Sequence, residues 1–197
     1  MKKYLLLLIV PFLFGEQQAS GQAWSRDTKV ISLGLGAGNY YHVGQTRRAV
    51  LFGPRYRSYS SVTGQFTVEG EFGIHDYVGI GFNTGIGGGL GRFSGYSGSL
   101  NVPVGVLANF HFYQLIADKT GKDLHQDVLD VFAGVSVGSG IGVIFYDSNV
   151  LADQILPLAF GGIHAGCRWY FKDNIALSGQ VGFGKSLIDV GILFKLN

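Results

Sequence analysis

Charged side chains at alternate positions of apolar segments are the first candidates for chemistry in this sequence. Glu69 and Glu71 lie two residues apart, so both project from one face of an extended chain. His164 and Arg168, four residues apart, share a face in the same way. Two carboxylates beside an imidazole and a guanidinium could relay protons or serve as a general acid and base. The same groups could instead neutralise one another as a polar plug in a closed interior.

Four arginines are concentrated in one polar segment: Arg47, Arg48, Arg55 and Arg57. A guanidinium group binds phosphate oxygens through two parallel hydrogen bonds, which makes arginine well suited to anionic surfaces. The segment therefore predicts a contact with lipopolysaccharide phosphates or with another anionic surface partner. The alternative is a solvated loop whose charges only keep it in water.

Three further features carry weaker chemical signals. The stretch 118–127 offers three aspartates and a histidine as metal ligands, but their spacing matches no calcium loop, so we predict a polar turn without a metal. The glycine-rich run 85–92 is similar to a phosphate-binding loop but lacks the Lys-Ser/Thr pair and a following helix pattern. Cys167 is the only cysteine, so it forms no internal disulfide, and no catalytic set surrounds it.

These candidates lie in segments where every second residue is apolar. A period of two is typical of a β-strand with one apolar face. Residues 61–72 show this most clearly, because polar side chains alternate there with apolar ones or glycine. The chain is 47% hydrophobic and only 14% charged, against about 25% charged in a typical soluble domain. Its 32 glycines suit bent strands around a crowded interior. The net charge of +2 is too small to predict a nucleic-acid partner.

Eight such strands are predicted, each about ten residues or longer, as strands that cross an outer membrane require. They cover residues 29–41, 61–72, 77–87, 99–112, 129–143, 158–171, 175–184 and 187–197. Short turns follow the second and sixth strands, whereas the connections 42–59, 88–98 and 144–157 are long. Short periplasmic turns and long extracellular loops are the rule for such barrels. Two connections depart from it, since 113–128 is long and 184–186 is short.

The N-terminus has the pattern of a secretory signal peptide. Two lysines precede an apolar stretch at 4–14, and small or polar residues follow it. We predict that residues 1–21 are removed by cleavage after Gly21, with cleavage after Ala23 as the alternative. The apolar stretch is too short to span a bilayer as a helix, which takes about 20 residues. A retained amphipathic anchor is the other interpretation; in either case residues 22–197 form the barrel domain.

A soluble lipocalin-like barrel or β-sandwich has the same period of two, but with its apolar face turned inward. Glycine, serine and asparagine crowd the polar faces and few charges lie there, which fits a narrow lumen better than a solvated surface. Aromatic residues lie near strand ends, where an interfacial girdle requires them. These are Tyr41, Phe72, Phe110, Phe112, Trp169, Phe171 and Phe194. The predicted fold is therefore all-β, an eight-stranded antiparallel up-and-down transmembrane β-barrel in a Gram-negative outer membrane.

The C-terminal third combines glycines, aromatic residues and a tight turn in a fixed order. The residues that form this pattern are Gly166, Arg168, Trp169, Tyr170, Phe171, Asp173, Asn174, Gly182 and Gly184. This pattern resembles the small outer-membrane β-barrel proteins common in Bacteroidetes. The resemblance implies an eight-stranded barrel of the OmpA type, with functions that are mostly unassigned in that family. One departure is Asn197, because the last residue of the family is usually aromatic.

In a barrel of eight strands, side chains fill the interior and leave no wide channel. We therefore predict an internal polar plug in which Arg168 is the partner of the two glutamates. Its members are Glu69, Glu71, His164 and Arg168. The predicted function is that of a non-enzymatic barrel without a cofactor, structural or surface-binding through its extracellular loops.

Two alternatives are a narrow, porin-like conduit for a small or hydrophobic solute and a lipid A-modifying barrel enzyme. Such an enzyme needs a histidine, a serine and a carboxylate near the outer rim, and His42 has serines but no carboxylate in its loop. The expected partners are outer-membrane lipid, lipopolysaccharide and the barrel assembly machinery. We expect a monomer that binds no nucleic acid.

Overall fold

The computed structural model describes residues 22–38, 62–93, 96–146, 154–183 and 186–196. The predicted signal peptide, the four loop arginines, His42 and Asn197 lie outside these ranges and stay predictions. Within the described ranges, no helix has the length and apolar character needed to cross a membrane.

Eight antiparallel strands close into a barrel in which each strand pairs with its neighbours in sequence. They are β1 Lys29–Ala37, β2 Val62–His75, β3 Val78–Phe93, β4 Tyr96–Phe110, β5 Leu129–Tyr146, β6 Gln154–Lys172, β7 Ile175–Gly182 and β8 Ile188–Leu196. The eighth strand pairs with the first along its whole length, from Lys29 opposite Leu196 to Ala37 opposite Ile188. The predicted eight-stranded up-and-down β-barrel is therefore confirmed.

The strands are staggered around the barrel. Two routes lead around the closed barrel from Ala37 of β1 to β6. When the paired residue is taken on each successive strand, the route through β2, β3, β4 and β5 arrives at Ile155. The route in the other direction, through β8 and β7, arrives at Ala165. These two positions are ten residues apart on the same strand. With about 3.3 Å per residue and about 4.8 Å between strands, this stagger tilts the strands by about 40° from the barrel axis.

Alternation along each strand separates an apolar exterior from a polar interior. Outward side chains such as Leu35 and Val137 are 71% and 60% exposed, whereas inward Thr67 and Asn101 are buried. A soluble barrel would reverse these faces, because its exterior contacts water. The exterior is therefore that of a membrane-spanning barrel, and Cys167 lies on that exposed outer face.

The barrel wall is much taller on one side than on the other. β1, β7 and β8 have 9, 8 and 9 residues, whereas β5 and β6 have 18 and 19. The segment 88–98 was expected to be a loop, but strands occupy residues 88–93 and 96–98; β5 and β6 also extend into the predicted loop 144–157, over residues 144–146 and 154–157. The expectation for 88–98 was wrong because glycines that lie close to the backbone of a neighbouring strand, such as Gly88 and Gly98, resemble the glycines of turns.

The long connection 113–128, with the polar turn predicted at 118–127, contains most of the helix α1, Phe112–Thr120. Gly121 ends it in the left-handed conformation, with φ of 62°, and donates its N–H to the carbonyl of Ala117 at 2.9 Å. Gln114 and Ala117, one turn apart, are its buried residues. A nine-residue helix with two buried positions leaves only a weak periodic signal in the sequence.

Candidate functional site

Four ionisable side chains meet inside the barrel at the end with the short turns, and we call them the base cluster. They are Glu71 of β2, His111 directly after β4, Asp130 of β5 and Arg168 of β6. All four are buried, with exposures of 4% or less. Asp130 and Arg168 are direct partners in the β5–β6 register, and Glu71 reaches them from a strand that is not adjacent to either.

The contacts of the base cluster form a closed ring. His111 Nε2 lies 2.9 Å from Glu71 Oε1, and His111 Nδ1 lies 2.8 Å from Asp130 Oδ1. Arg168 donates to the second oxygen of each carboxylate, at 3.2 Å to Asp130 Oδ2 and in close contact with Glu71 Oε2. Each carboxylate therefore bridges the imidazole and the guanidinium, so the ring is crosslinked across the lumen.

Aromatic rings enclose the base cluster. Trp24 is fully buried and stacks on His111 with 3.7 Å between ring centroids and 8° between planes. Arg168 Cζ lies 4.3 Å from the Phe132 centroid and 5.5 Å from that of Trp24, within the range of cation–π contact. Gly79 makes this packing possible, because a Cβ there would lie 2.8 Å from Trp24 Cη2 and would also collide with the Glu71 carboxylate.

Trp24 belongs to the N-terminal segment, residues 22–28, which closes the base of the barrel. The N–H of Ala23 donates to the Gln126 carbonyl at 2.8 Å, and Lys195 Nζ donates to the Gln22 carbonyl at 2.9 Å. Further along, the N–H groups of Arg26 and Asp27 donate to the Asp76 carboxylate and the Gly73 carbonyl, and the N–H of Gly73 donates to the Thr28 carbonyl. The segment is thus tied to β2, to β8 and to the loop after α1.

The predicted plug residues are divided between two levels of the lumen. Glu71 and Arg168 meet in the base cluster, where the second carboxylate partner of Arg168 is Asp130. Glu69 accepts a hydrogen bond from Gln180 at 2.7 Å. His164 Nε2 lies 2.8 Å from Asn109 Oδ1.

Sequence reasoning missed three members of this site. Asp130 could have been found, because it is the only charged residue on the polar face of its predicted strand. His111 lies near the end of the fourth predicted strand and was not singled out, and Trp24 precedes the first strand, where no periodicity marks it. Their proximity depends on the stagger of the strands, which the pattern of a single strand does not contain.

A cavity of about 10 Å³ adjoins the base cluster inside the barrel, with Ser32, Glu69, Ser178 and Gln180 among its lining residues. That volume is about the least that holds one water molecule. Higher still, the Thr67 hydroxyl donates to buried Asp189 at 3.0 Å. The geometry can hold charges and water in place.

The loop after α1 brings together three of the four ligands considered for a metal. The ligand atoms of Asp123, His125 and Asp127 lie within 4.8 Å of one another, and the first two residues are exposed. Asp118 is engaged elsewhere, because it accepts hydrogen bonds from the Tyr77 hydroxyl at 2.9 Å and from Gln114 at 3.0 Å. The bond from Tyr77 to this carboxylate raises the pKa of the Tyr77 hydroxyl above its ordinary value.

Comparison with solved structures finds outer-membrane barrels. The outer membrane protein OprG from Pseudomonas aeruginosa is 8% identical with a TM-score of 0.62, over 88% of this chain and 98% of that one. The N-terminal β-barrel domain of Pseudomonas aeruginosa OprF is 11% identical, with a TM-score of 0.53 over 87% and 99%. Neisserial surface protein A is 10% identical, with a TM-score of 0.53 over 86% and 97%.

No protein-family model and no curated protein matches the chain. Identities near 10% show the fold alone, so the resemblance to a Bacteroidetes family stays a prediction. Eight closed strands, an apolar exterior and these structural neighbours agree with one another. The chain has the architecture of an eight-stranded outer-membrane β-barrel protein.

Proposed function

We propose that this outer-membrane β-barrel is a non-enzymatic, non-conducting protein that acts through its extracellular loops, as a structural or surface-binding element. The observation that carries the proposal is the buried base cluster, which with Trp24 fills the base of the lumen. Such an interior holds the wall rigid and leaves recognition to the loops. The resemblance to the small Bacteroidetes barrels, which are defined by fold, agrees with this role.

Conductance in planar bilayers tests the closed lumen. We expect no steady single-channel openings from the purified protein, because a solute would have to displace the Glu71–Arg168 ion pair and the ring of Trp24. A porin added to the same bilayer serves as the positive control. Steady openings of uniform size from the barrel alone would instead support the conduit alternative.

The proposed ligand of the loops is the phosphate-bearing surface of lipopolysaccharide, recognised by Arg47, Arg48, Arg55 and Arg57. Changing all four to glutamine should weaken binding of lipopolysaccharide vesicles about tenfold or more, since each exposed pair contributes about 0.2–1 kcal/mol. The control changes Lys119 and Lys122, within and just after α1, to glutamine. Equal binding by wild type and the arginine variant would contradict the proposal, as would unchanged binding to dephosphorylated vesicles.

The remaining partners proposed are outer-membrane lipid and, during biogenesis, the barrel assembly machinery, with the protein acting as a monomer. The non-enzymatic assignment draws support from the interior histidines, because His111 and His164 are both engaged by neighbouring side chains. A change in lipid A mass on expression, abolished by His42→Ala, would overturn that assignment.

A further inference from the structure

We propose that α1 is a membrane-surface helix whose outer face docks on phospholipid of the periplasmic leaflet, at the end of the barrel with the short turns. Phe112, Leu115 and Ile116 form this outer face. The docking depends on the membrane location of the barrel, which the fold and its structural neighbours show, and not on the proposed role of the extracellular loops.

The two faces of α1 are the reverse of those of a surface helix in a soluble protein. Residues three and four positions apart share one face of a helix, so Phe112, Leu115 and Ile116 lie together. The opposite face carries Gln114 and Ala117, which are 3% and 2% exposed, whereas Ile116 is 46% exposed. A soluble protein would bury the apolar face and leave the glutamine in water. The outer wall of the barrel shows the same reversal, because its surroundings are lipid.

Hydrogen bonds at both ends of α1 fix which face turns away from the barrel. The N–H of His111, directly before α1, donates to the Tyr77 carbonyl at 2.8 Å. Near the other end, Asp118 accepts a hydrogen bond from the Tyr77 hydroxyl at 2.9 Å. The Tyr113 hydroxyl donates to the carbonyl of Leu124 at 2.6 Å, and the helix also packs against β5. The helix is therefore held beside β3 and β5, and its outer face cannot rotate inward.

The outer face of α1 is continuous with the lipid-facing wall of the barrel. Phe110, the last residue of β4, pairs with Val78, is 43% exposed and lies two residues before the helix. On the neighbouring strands, Ile80 and Phe72 form a directly opposite pair and are exposed as well. Aromatic side chains at strand ends mark the level of the lipid headgroups. Because α1 begins at this level, its apolar side chains can enter the boundary between headgroups and acyl chains.

The size of the outer face favours lipid over a second protein. Lys119 ends the apolar stripe, because it lies on the same face one turn after Leu115, and its amine can stay in water. A stable protein interface takes about 800 Å² from each partner. A helix about 14 Å long with three apolar side chains supplies much less than that area. Phospholipid has no such requirement, because it already surrounds the adjoining wall.

Spin labels measure whether the outer face of α1 lies in lipid. Cys167→Ser removes the only native cysteine, after which Ile116→Cys or Leu115→Cys places a label on this face. In phospholipid nanodiscs, oxygen concentrates among acyl chains and a nickel chelate stays in water, so the ratio of their collision rates with the label reports its surroundings. We expect this ratio to be several-fold higher at both positions than for Lys122→Cys, at an exposed residue just beyond the helix.

Val106→Cys provides the reference value inside the membrane. Val106 lies on the outer face of β4 and is 59% exposed, so its label should have the high ratio of a lipid-facing position. Heat-modifiable migration of each labelled protein confirms that the barrel is folded. A label at Val106 with the low ratio of Lys122 would contradict the membrane location of the barrel itself, and with it the docking of α1.

Two results would overturn the docking of α1 while leaving the barrel in the membrane. The first is a label at Ile116 with the same ratio as at Lys122, which would place the outer face in water. The second is a label at Ile116 that neither oxygen nor the nickel chelate reaches, which would show that a second copy or another protein covers the face. Ile116 is exposed, so its substitution removes no buried contact and the folded barrel remains available for both measurements.

Discussion

Arg168→Met is expected to lower the free energy of unfolding by about 3–5 kcal/mol, because it leaves Glu71 and Asp130 buried with one guanidinium fewer. Methionine keeps much of the side-chain volume between Phe132 and Trp24. The decrease in the free energy of unfolding therefore measures the loss of charge and hydrogen bonding more than the loss of packing. Urea unfolding in lipid vesicles, followed by the heat-modifiable shift on a gel, measures the change.

The control for Arg168→Met removes the charges that it leaves behind. Adding Glu71→Gln and Asp130→Asn should recover most of the lost stability, because replacing a whole buried ionic group is far less costly than removing one partner. Arg26→Met removes an exposed guanidinium and should change stability by less than about 0.5 kcal/mol. A triple variant as unstable as Arg168→Met would show that the stabilisation comes from packing and not from charge balance.

Trp24→Ala should have a comparable effect, about 3–5 kcal/mol, because it removes the largest fully buried side chain at the base of the barrel. It should also free the N-terminal segment, so that trypsin cleaves after exposed Arg26 much faster than in wild type. Urea unfolding and mass spectrometry of the tryptic fragments give the two readouts.

Trp169→Ala is the matched control for Trp24→Ala, because Trp169 lies on the outer face of β6 and does not contact the base cluster. It should leave the rate of cleavage at Arg26 unchanged. Equal cleavage of the Trp24→Ala variant and wild type would show that the backbone bonds alone hold the segment.

The alternation of polar and apolar side chains predicts the strands of the barrel wall well. A period of two tells which residues face inward, and it brings Glu71 and Arg168 into one interior. It does not tell which inward residues share a level, because that depends on the ten-residue stagger between strands. Arg168 therefore meets Asp130, its direct partner on β5, and Glu71 from across the lumen, whereas Glu69 meets Gln180.

Features without alternation were the ones that the sequence did not predict. Helix α1 is too short to show a clear period, and the N-terminal segment has no regular structure, although Trp24 completes the interior. Glycines misled the prediction at 88–98, because Gly88 and Gly98 lie close to the backbone of the partner strand while resembling turn residues. Backbone that lies near other backbone favours glycine in either setting.

The unequal wall has a consequence for the surrounding lipid. At a tilt of about 40°, each residue rises about 2.5 Å along the barrel axis, so β8 spans roughly 22 Å and β5 roughly 45 Å, against an apolar band of about 25 Å in such membranes. The upper part of β5 still presents apolar side chains, with Ile141 60% and Phe145 39% exposed. We therefore expect hydrophobic mismatch to differ around one molecule, with thicker lipid beside β5 than beside β8. The membrane around this barrel would then have a gradient of thickness.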